Sequence, residues 1–261
     1  MDATTDRLSG WRAPAQWLAG WWRVAHLGAL MLALLLAPST YRRPNRALLA
    51  RHAYLATAPL LPGFTLLTAI ASVVLIRIVV VTALSYGLTR YALAMVVRVL
   101  VLELIPLAAA LFAALRCTLP DGAEIAALRA AGRFDALAVQ GADPLRVEVL
   151  PRVVAGVFAV VTLAALSVVA TLVLAYLTIH GATTAALAGY TRTVGQVFAP
   201  AVSLIFVLKT LAFALAVTLI PIAAALHEQS RARAPAELRA AVRMLALILL
   251  IEIASLVGNY R

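Results

Sequence analysis

The chain is poor in cysteine, lysine and charge: it has one cysteine, Cys117, one lysine, Lys209, and 13% charged residues in 261. A single cysteine excludes an internal disulfide and a cysteine metal cage. No Walker A motif and no nucleophile–base constellation is visible, so we expect a non-catalytic chain without a metal or cofactor of its own. The histidines lie far apart and lack metal-ligand spacing; they are His26, His52, His180 and His227.

Long apolar runs make up most of the chain. Hydrophobic residues account for 64% of it, and the mean hydropathy is +0.99. A bilayer span needs about 20 apolar residues. The sequence therefore predicts an all-α integral membrane protein, a single domain over 1–261. Its five transmembrane helices are expected at about 63–84, 91–115, 149–179, 198–226 and 240–257.

The N-terminal segment 8–37 contains a sixth apolar stretch, which is short and has arginines on both sides. Positive charge at both ends disfavours either transmembrane orientation. Tryptophan prefers the headgroup level, and four precede the stretch. We therefore predict a helix lying in the cytoplasmic interface; the alternative is a cleaved signal peptide. The tryptophans are Trp11, Trp17, Trp21 and Trp22.

The net charge of +11 is distributed unevenly along the chain. Sixteen arginines lie in the segments 1–60, 116–152 and 228–243, and three lie in the other loops. By the positive-inside rule, the N-terminus is cytoplasmic and the C-terminus lies on the far side. Because the arginines flank spans and no nucleic-acid motif is present, anionic lipid headgroups are the expected counter-charge, and no nucleic-acid partner is expected.

Two predicted spans carry an ionisable residue near the midpoint, Glu103 in the second and Lys209 in the fourth. A charge there costs about 2.5–3.5 kcal/mol on insertion scales, so such residues usually pair or face a polar cavity. Both interpretations remain open for Glu103. On an α-helix Arg98 lies about 140° around the axis from Glu103 and shares a face with Leu102 instead.

The loop between the second and third spans has helix signals. Asp121 followed by Glu124 resembles a capping box, and it predicts a helix over about 121–139 with Gly132 as a weak point. Gly141 is suited to a left-handed cap. The loop is either a solvated connector or a lever that a cytoplasmic motor pushes.

The next helix begins with an Asp-Pro pair. Asp143 is expected at its N-cap, with proline in the first turn. Glu148 and Arg152 are spaced as a favourable i,i+4 ion pair.

Residues 103–152 resemble, without gaps, the MlaE/YrbE-type permeases of ABC lipid transporters that work with MCE proteins. The similarity extends from about 41 to 258. The motifs that carry it are Glu103-Leu104-Ile105-Pro106, Ala114-Leu115-Arg116 with Glu124 eight residues on, Asp135-Ala136-Leu137, Gly141, Asp143-Pro144, Arg146, Pro151-Arg152 and Leu208-Lys209-Thr210, with Glu252 as the acid of the last span.

The chain departs from the family pattern at three places. Gly132-Arg133 replaces the family's Glu-Gln in the coupling helix, and Arg77-Ile78 stands where the first span usually has Leu-Gln. Leu102 replaces the arginine that usually precedes the glutamate, and we hypothesise that Arg98 supplies the missing cation.

The resemblance implies a permease of the bacterial inner membrane that passes phospholipid or a similar amphiphile. It implies a second permease copy, identical or paralogous, a cytoplasmic ABC ATPase dimer that binds ATP and Mg, and an MCE-protein oligomer. The expected lipid contacts are Glu103 and Lys209, followed by Arg98, Arg77 and Tyr86. The expected ATPase-coupling residues are Glu124, Arg129, Arg133, Asp135 and Asp143.

Three other functional classes are alternatives to a permease. A secondary transporter would use Glu103 as a proton or ion relay, but the odd span number and the lack of an internal repeat disfavour it. A membrane enzyme acting on lipid would need an interfacial cluster of His, Asp or Ser, which is not found. A passive scaffold does not account for Glu103 and Lys209.

Overall fold

The computed structural model describes residues 3–41, 43–227 and 233–259, and every regular element in these ranges is helical. The α-helices are α1 (Ala3–Leu36), α2 (Arg43–Thr57), α3 (Leu60–Ser85), α4 (Thr89–Val96), α5 (Ile105–Ala113), α6 (Leu119–Ala130), α7 (Arg133–Val139), α8 (Leu150–His180), α9 (Leu187–Val197), α10 (Pro200–His227) and α11 (Arg233–Asn259). Three π-helical segments, Val97–Leu104, Ala114–Thr118 and Leu145–Val149, join α4 to α5, α5 to α6 and the last loop to α8.

Six stretches of helix in the described residues are long and apolar enough to cross a membrane. Five of them contain or closely match the spans predicted from hydropathy, so the all-α membrane class is confirmed. The sixth, Leu18–Leu36, lies in α1, for which we predict an interfacial position. The other five are Leu60–Ser85, Tyr91–Ala130, Leu145–His180, Pro200–His227 and Glu237–Asn259.

Each π-helical segment is followed by an α-helix with proline at its second position. These prolines are Pro106, Pro120 and Pro151. Proline has no N–H for the i→i−4 ladder, and its ring crowds the carbonyl four residues back. The wider i→i+5 turn accommodates both effects without ending the helix. The chain consequently stays helical from Thr89 to Ala130, well past the predicted end of the second span.

The core is formed where α3, α5, α8, α10 and α11 meet, and it mixes aromatic side chains with many alanines. Phe64 and Phe213 are fully buried in it, beside Ala110, Leu163 and Met244. Small residues allow helix backbones to approach closely inside a membrane protein.

Gly156 of α8 is packed closely against α10. A Cβ atom at this position would clash with Cγ2 of Thr218 on α10, and it would lie 2.9 Å from Cγ2 of Thr118. Glycine is therefore required here by packing rather than by backbone conformation.

Helix α1 packs across the end of the bundle where α8 begins and α10 ends. Leu27 and Met31 are buried there against Val153 of α8 and Leu219 of α10. The segment after α1 lies at the same end of the bundle, because Thr40 and residues of α2 line a small cavity together with Leu150 of α8. The side chains of Trp11 and Trp17, which support the interfacial prediction, lie outside the described residues.

The structure divides the helix predicted over about 121–139. Gly132 has φ +72°, a left-handed conformation that separates α6 from α7. The start predicted at Asp121 is wrong, because α6 continues from the preceding π-helical segment and needs no cap. Gly141, with φ +76°, forms the predicted left-handed end.

Candidate functional site

Glu103 and Lys209 form an ion pair inside the helical bundle. The Lys209 ammonium donates a hydrogen bond to Oε2 of Glu103 and lies 3.4 Å from the backbone carbonyl of Leu102. The Lys209 side chain is 1% exposed and the Glu103 side chain is 10% exposed. For Glu103 the sequence leaves two possibilities open, an ion pair with a cation on a neighbouring span or exposure to a polar cavity. Within one chain the structure shows the ion pair.

Helix α11 completes this site with two residues that were not among the predicted lipid contacts. Oε2 of Glu252 lies 2.8 Å from the Lys209 ammonium. Nδ2 of Asn259 donates to Oε1 of Glu103 over 3.3 Å. Glu252 was noticed in the sequence only as the acid of the last span, and nothing in the local pattern of Asn259 indicates its contact. We call Glu103, Lys209, Glu252 and Asn259 the charge cluster.

The position of the charge cluster follows from the helices that carry it. Lys209 is nine residues from the start of α10, about 14 Å at 1.5 Å per residue. Asn259 is the last residue of α11. The cluster therefore lies in the half of the bundle remote from α6 and α7, where buried charges are paired because solvation by water is weak.

The other predicted lipid contacts have more exposed positions. The side chain of Tyr86 is 76% exposed at the end of α3, and Arg77 on α3 is also exposed. Arg98 is exposed whereas Leu102 is 3% exposed, so the two do not share an environment as α-helical spacing predicted. The reason is that Val97–Leu104 is π-helical, which changes the angular relation of residues four and five apart. A lipid-binding role for any of the five residues stays a prediction.

A second charged site lies at the opposite end of the bundle, centred on Arg152 of α8. Its guanidinium is 2.9 Å from Oε1 of Glu124 on α6 and 3.0 Å from Oε2 of Glu148. Glu148 also lies 3.5 Å from Nε of Arg133, the first residue of α7. Three ion pairs thus connect α6, α7 and the start of α8, and they include the predicted i,i+4 pair. We call these four residues the ion-pair chain.

The predicted coupling residues fall into two groups. Glu124 and Arg133 belong to the ion-pair chain. Asp143 acts as the predicted cap, because its Oδ1 accepts the backbone N–H of Leu145 over 3.0 Å. Asp135 on α7 is exposed, and Arg129 near the end of α6 is partly buried. Their roles toward an ATPase stay predictions.

Helix α7 has one buried and one exposed side. Phe134 packs against the same apolar cluster that holds α1 and the start of α8, and Leu137 is buried. The opposite side presents Asp135 and Val139, and Val139 is 89% exposed. This side of α7 is therefore accessible at the surface of the described chain.

His52 of α2 lies near the ion-pair chain. Burial lowers the pKa of its imidazole below the ordinary value of 6.5, and the positive charge of Arg152 lowers it further. The carboxylates of Glu124 and Glu148 act in the opposite direction but are smaller influences.

An apolar cleft of about 580 Å³ lies between α1, α8 and α10. It is lined by Met31, Leu35, Val157, Phe158 and Leu215, among others, and neither Glu103 nor Lys209 lines it. The charge cluster is thus separate from this cleft within one chain.

A protein-family model matches most of the chain. The family model described as "Permease MlaE" matches residues 49–257. This range includes all five predicted spans, the whole ion-pair chain and every residue of the charge cluster except Asn259. None of the curated proteins compared with the chain matches it significantly. The match covers most of the chain, and the chain therefore belongs to the MlaE permease family, as a transmembrane permease component of a transporter.

Proposed function

We propose that the chain is the membrane subunit of an ABC transporter that moves phospholipid, or a related amphiphile, between the inner membrane and an MCE-protein channel. The single observation that carries this proposal is the family match over residues 49–257. The charge cluster and the ion-pair chain lie at opposite ends of the bundle. We assign lipid contact to the charge cluster and coupling to the end that holds the ion-pair chain.

The lipid-contact task requires the charge cluster to face a second copy of the permease. Within one chain Glu103 and Lys209 neutralise each other in a dry setting, so they need no ligand for their own stability. However, Glu252 is a second carboxylate for the same ammonium, which leaves the cluster with more acid than a structural pair requires. A cavity between two permeases, with this cluster in its wall, is the arrangement we propose.

The coupling task is assigned to α6 and α7. The chain has no Walker A motif of its own, so ATP hydrolysis belongs to a separate ATPase that binds the exposed side of α7. A push on α7 would reach α8 through Arg133, Glu148 and Arg152, and it would reach α6 through Glu124. Transitions of this kind move packed helices as rigid elements.

The orientation we propose places α6 and α7 in the cytoplasm and the end of α11 on the periplasmic side. The arginine distribution favours it. Helix α1 would lie in the cytoplasmic interface, because Leu27 and Met31 pack against Val153 near the start of α8 and Leu219 in the second half of α10. A helix that crossed the bilayer would contact both ends of those spans.

The decisive experiment is purification of the permease from its native membrane in a gentle detergent, followed by identification of the chains that accompany it. We expect a nucleotide-binding ATPase and an MCE-domain protein. Reconstitution of that complex is expected to give lipid transfer that depends on ATP.

Two results would contradict the proposal. One is recovery of the permease without an ATPase under conditions in which its dimer survives. The other is lipid movement that continues without ATP and responds to an ion gradient, as a secondary transporter requires.

A further inference from the structure

Helix α11 presents a polar stripe to the charge cluster. Glu252, Ser255 and Asn259 are spaced by three and four residues and so lie on one face of the helix. Ser255 is 7% exposed, and its hydroxyl has no hydrogen-bond partner among the described residues. Oδ1 of Asn259 is likewise buried without a partner in the described part of the chain.

Buried polar atoms are almost always satisfied, so two unpaired ones beside a charge cluster need an explanation. Both atoms can accept a hydrogen bond. The carboxylates of Glu103 and Glu252 are also acceptors when ionised, and Lys209 is the one donor with a full charge, already in contact with both. The cluster therefore has acceptors in excess of donors.

The charge cluster also has more negative groups than positive ones. Two carboxylates surround one ammonium, so the ionised cluster carries one negative charge in excess. Within a membrane such an excess is costly unless a proton or a cation neutralises it. A bound cation with N–H groups would satisfy the charge and the free acceptors together.

We propose that the charge cluster and Ser255 receive the headgroup of the transported lipid through a primary ammonium group. This inference rests on the proposed function and specifies its substrate class. A primary ammonium has three donors and one positive charge, which match the acceptors of Glu252, Ser255 and Asn259. It binds beside Glu252, where the side chain is 15% exposed rather than fully enclosed.

An anionic headgroup is a poor match for the same site. It has no ammonium group to place between its phosphate and the two carboxylates, whereas in phosphatidylethanolamine the terminal ammonium can enter ahead of the phosphate. Leu102, the residue before Glu103, adds no cation. Lys209 alone would have to hold the phosphate while losing its own partners. A quaternary ammonium has the charge but no N–H to donate, so it satisfies only half of the site.

Native mass spectrometry of the purified permease tests the proposal directly. The probe is an equimolar mixture of phosphatidylethanolamine, phosphatidylcholine and phosphatidylglycerol with identical acyl chains. We expect retention of phosphatidylethanolamine over phosphatidylglycerol by about tenfold, the ratio that one charge-assisted hydrogen bond supplies. Glu252→Gln should bring the ratio close to one, and Ser255→Ala should lower it by a smaller factor.

The matched control is Glu237→Gln, since Glu237 is exposed near the other end of α11 and should leave the ratio unchanged. If Glu252→Gln does not fold, Ser255→Ala decides, because it removes an unpaired hydroxyl without removing a charge. Equal retention of the three lipids, or a ratio that neither variant changes, would overturn the ammonium inference and leave lipid transport intact. Absence of any retained lipid, together with absence of ATP-dependent transfer, would overturn the proposed function itself.

Discussion

Lys209 on α10 and Glu252 on α11 are joined by an ion pair of 2.8 Å within the membrane bundle. The same ammonium is bound to Glu103 on the second span, so one cation connects three helices that are distant in sequence.

Replacing Lys209 with methionine should destabilise the protein strongly. The substitution leaves two carboxylates buried without their cation, and breaking a buried pair in this way costs about 3–5 kcal/mol. We expect a lower melting temperature of the purified permease in detergent. The double variant Lys209→Met with Glu103→Gln should recover part of the loss, since it removes one of the stranded charges.

Arg77→Met is the control for this experiment. Arg77 also lies in a span, but its side chain is exposed, so its loss should change the melting temperature little. A Lys209→Met protein as stable as Arg77→Met would show that the buried pair contributes nothing.

Gly156→Ala should also destabilise the fold, by a steric route. The new methyl group would overlap Cγ2 of Thr218 and approach Cγ2 of Thr118. Overpacking of this kind costs about 1–3 kcal/mol. Thermal unfolding in detergent measures the effect, and adding Thr218→Ser should relieve it because serine lacks that methyl group.

Gly63→Ala provides a matched comparison in another span. Nothing lies within 4 Å of a Cβ atom at Gly63, and alanine favours helix over glycine. We expect it to be neutral or slightly stabilising. Equal behaviour of Gly156→Ala and Gly63→Ala would contradict the close packing of α8 and α10.

The spans could be located from sequence because hydropathy depends on composition alone. The same reasoning identified Glu103 and Lys209 as notable, since a charge in an apolar run is visible without any structure. It could not identify Glu252 and Asn259 as their partners. Which spans are neighbours is decided by packing of α10 against α11, and hydropathy carries no information on it.

The helix boundaries show a second limit. The sequence predicts that the second span ends near Leu115 and that a separate helix begins at Asp121, just beyond Pro120. In the structure a π-helical turn accommodates the proline, and the helix continues. Gly132, by contrast, is predicted as a weak point from the low helix propensity of glycine. In the structure it adopts the left-handed conformation that glycine tolerates best.

The stability of the fold should depend on pH through His52. Its pKa is lowered in the folded state by burial and by Arg152, so the unfolded chain accepts a proton first as the pH falls through 6.5. The contribution of His52 to the free energy of unfolding is therefore fully present above about pH 6.5 and decreases below it. Melting temperatures at about pH 7.5 and about pH 5.5 should differ less in His52→Gln than in the natural protein. His26→Gln, a change at an exposed histidine, should preserve the full difference; if His52→Gln does so too, the assignment to His52 is wrong.

Arg152→Gln should disturb the cytoplasmic end of the bundle more than Glu124→Gln. The arginine side chain is 10% exposed and serves two carboxylates, whereas Glu124 is 58% exposed. We expect a cost of about 1.5–3 kcal/mol for the arginine change and under about 1 kcal/mol for the glutamate change. Thermal unfolding of both variants tests the order, and an equal loss would remove Arg152 from the centre of the ion-pair chain.

Val139→Asp should weaken binding of the ATPase without weakening the fold. Val139 ends α7 with its side chain 89% exposed, while Phe134 and Leu137 hold the helix to the bundle from the other side. If α7 docks on a partner, a charge at this position loses an apolar contact and must be desolvated, which reduces ATPase recovery by about tenfold. The measurement is the amount of ATPase that co-purifies with each variant, alongside the melting temperature of the permease alone. Val139→Leu keeps the position apolar and should retain the partner. An undiminished complex with Val139→Asp would place the ATPase contact elsewhere than on the exposed side of α7.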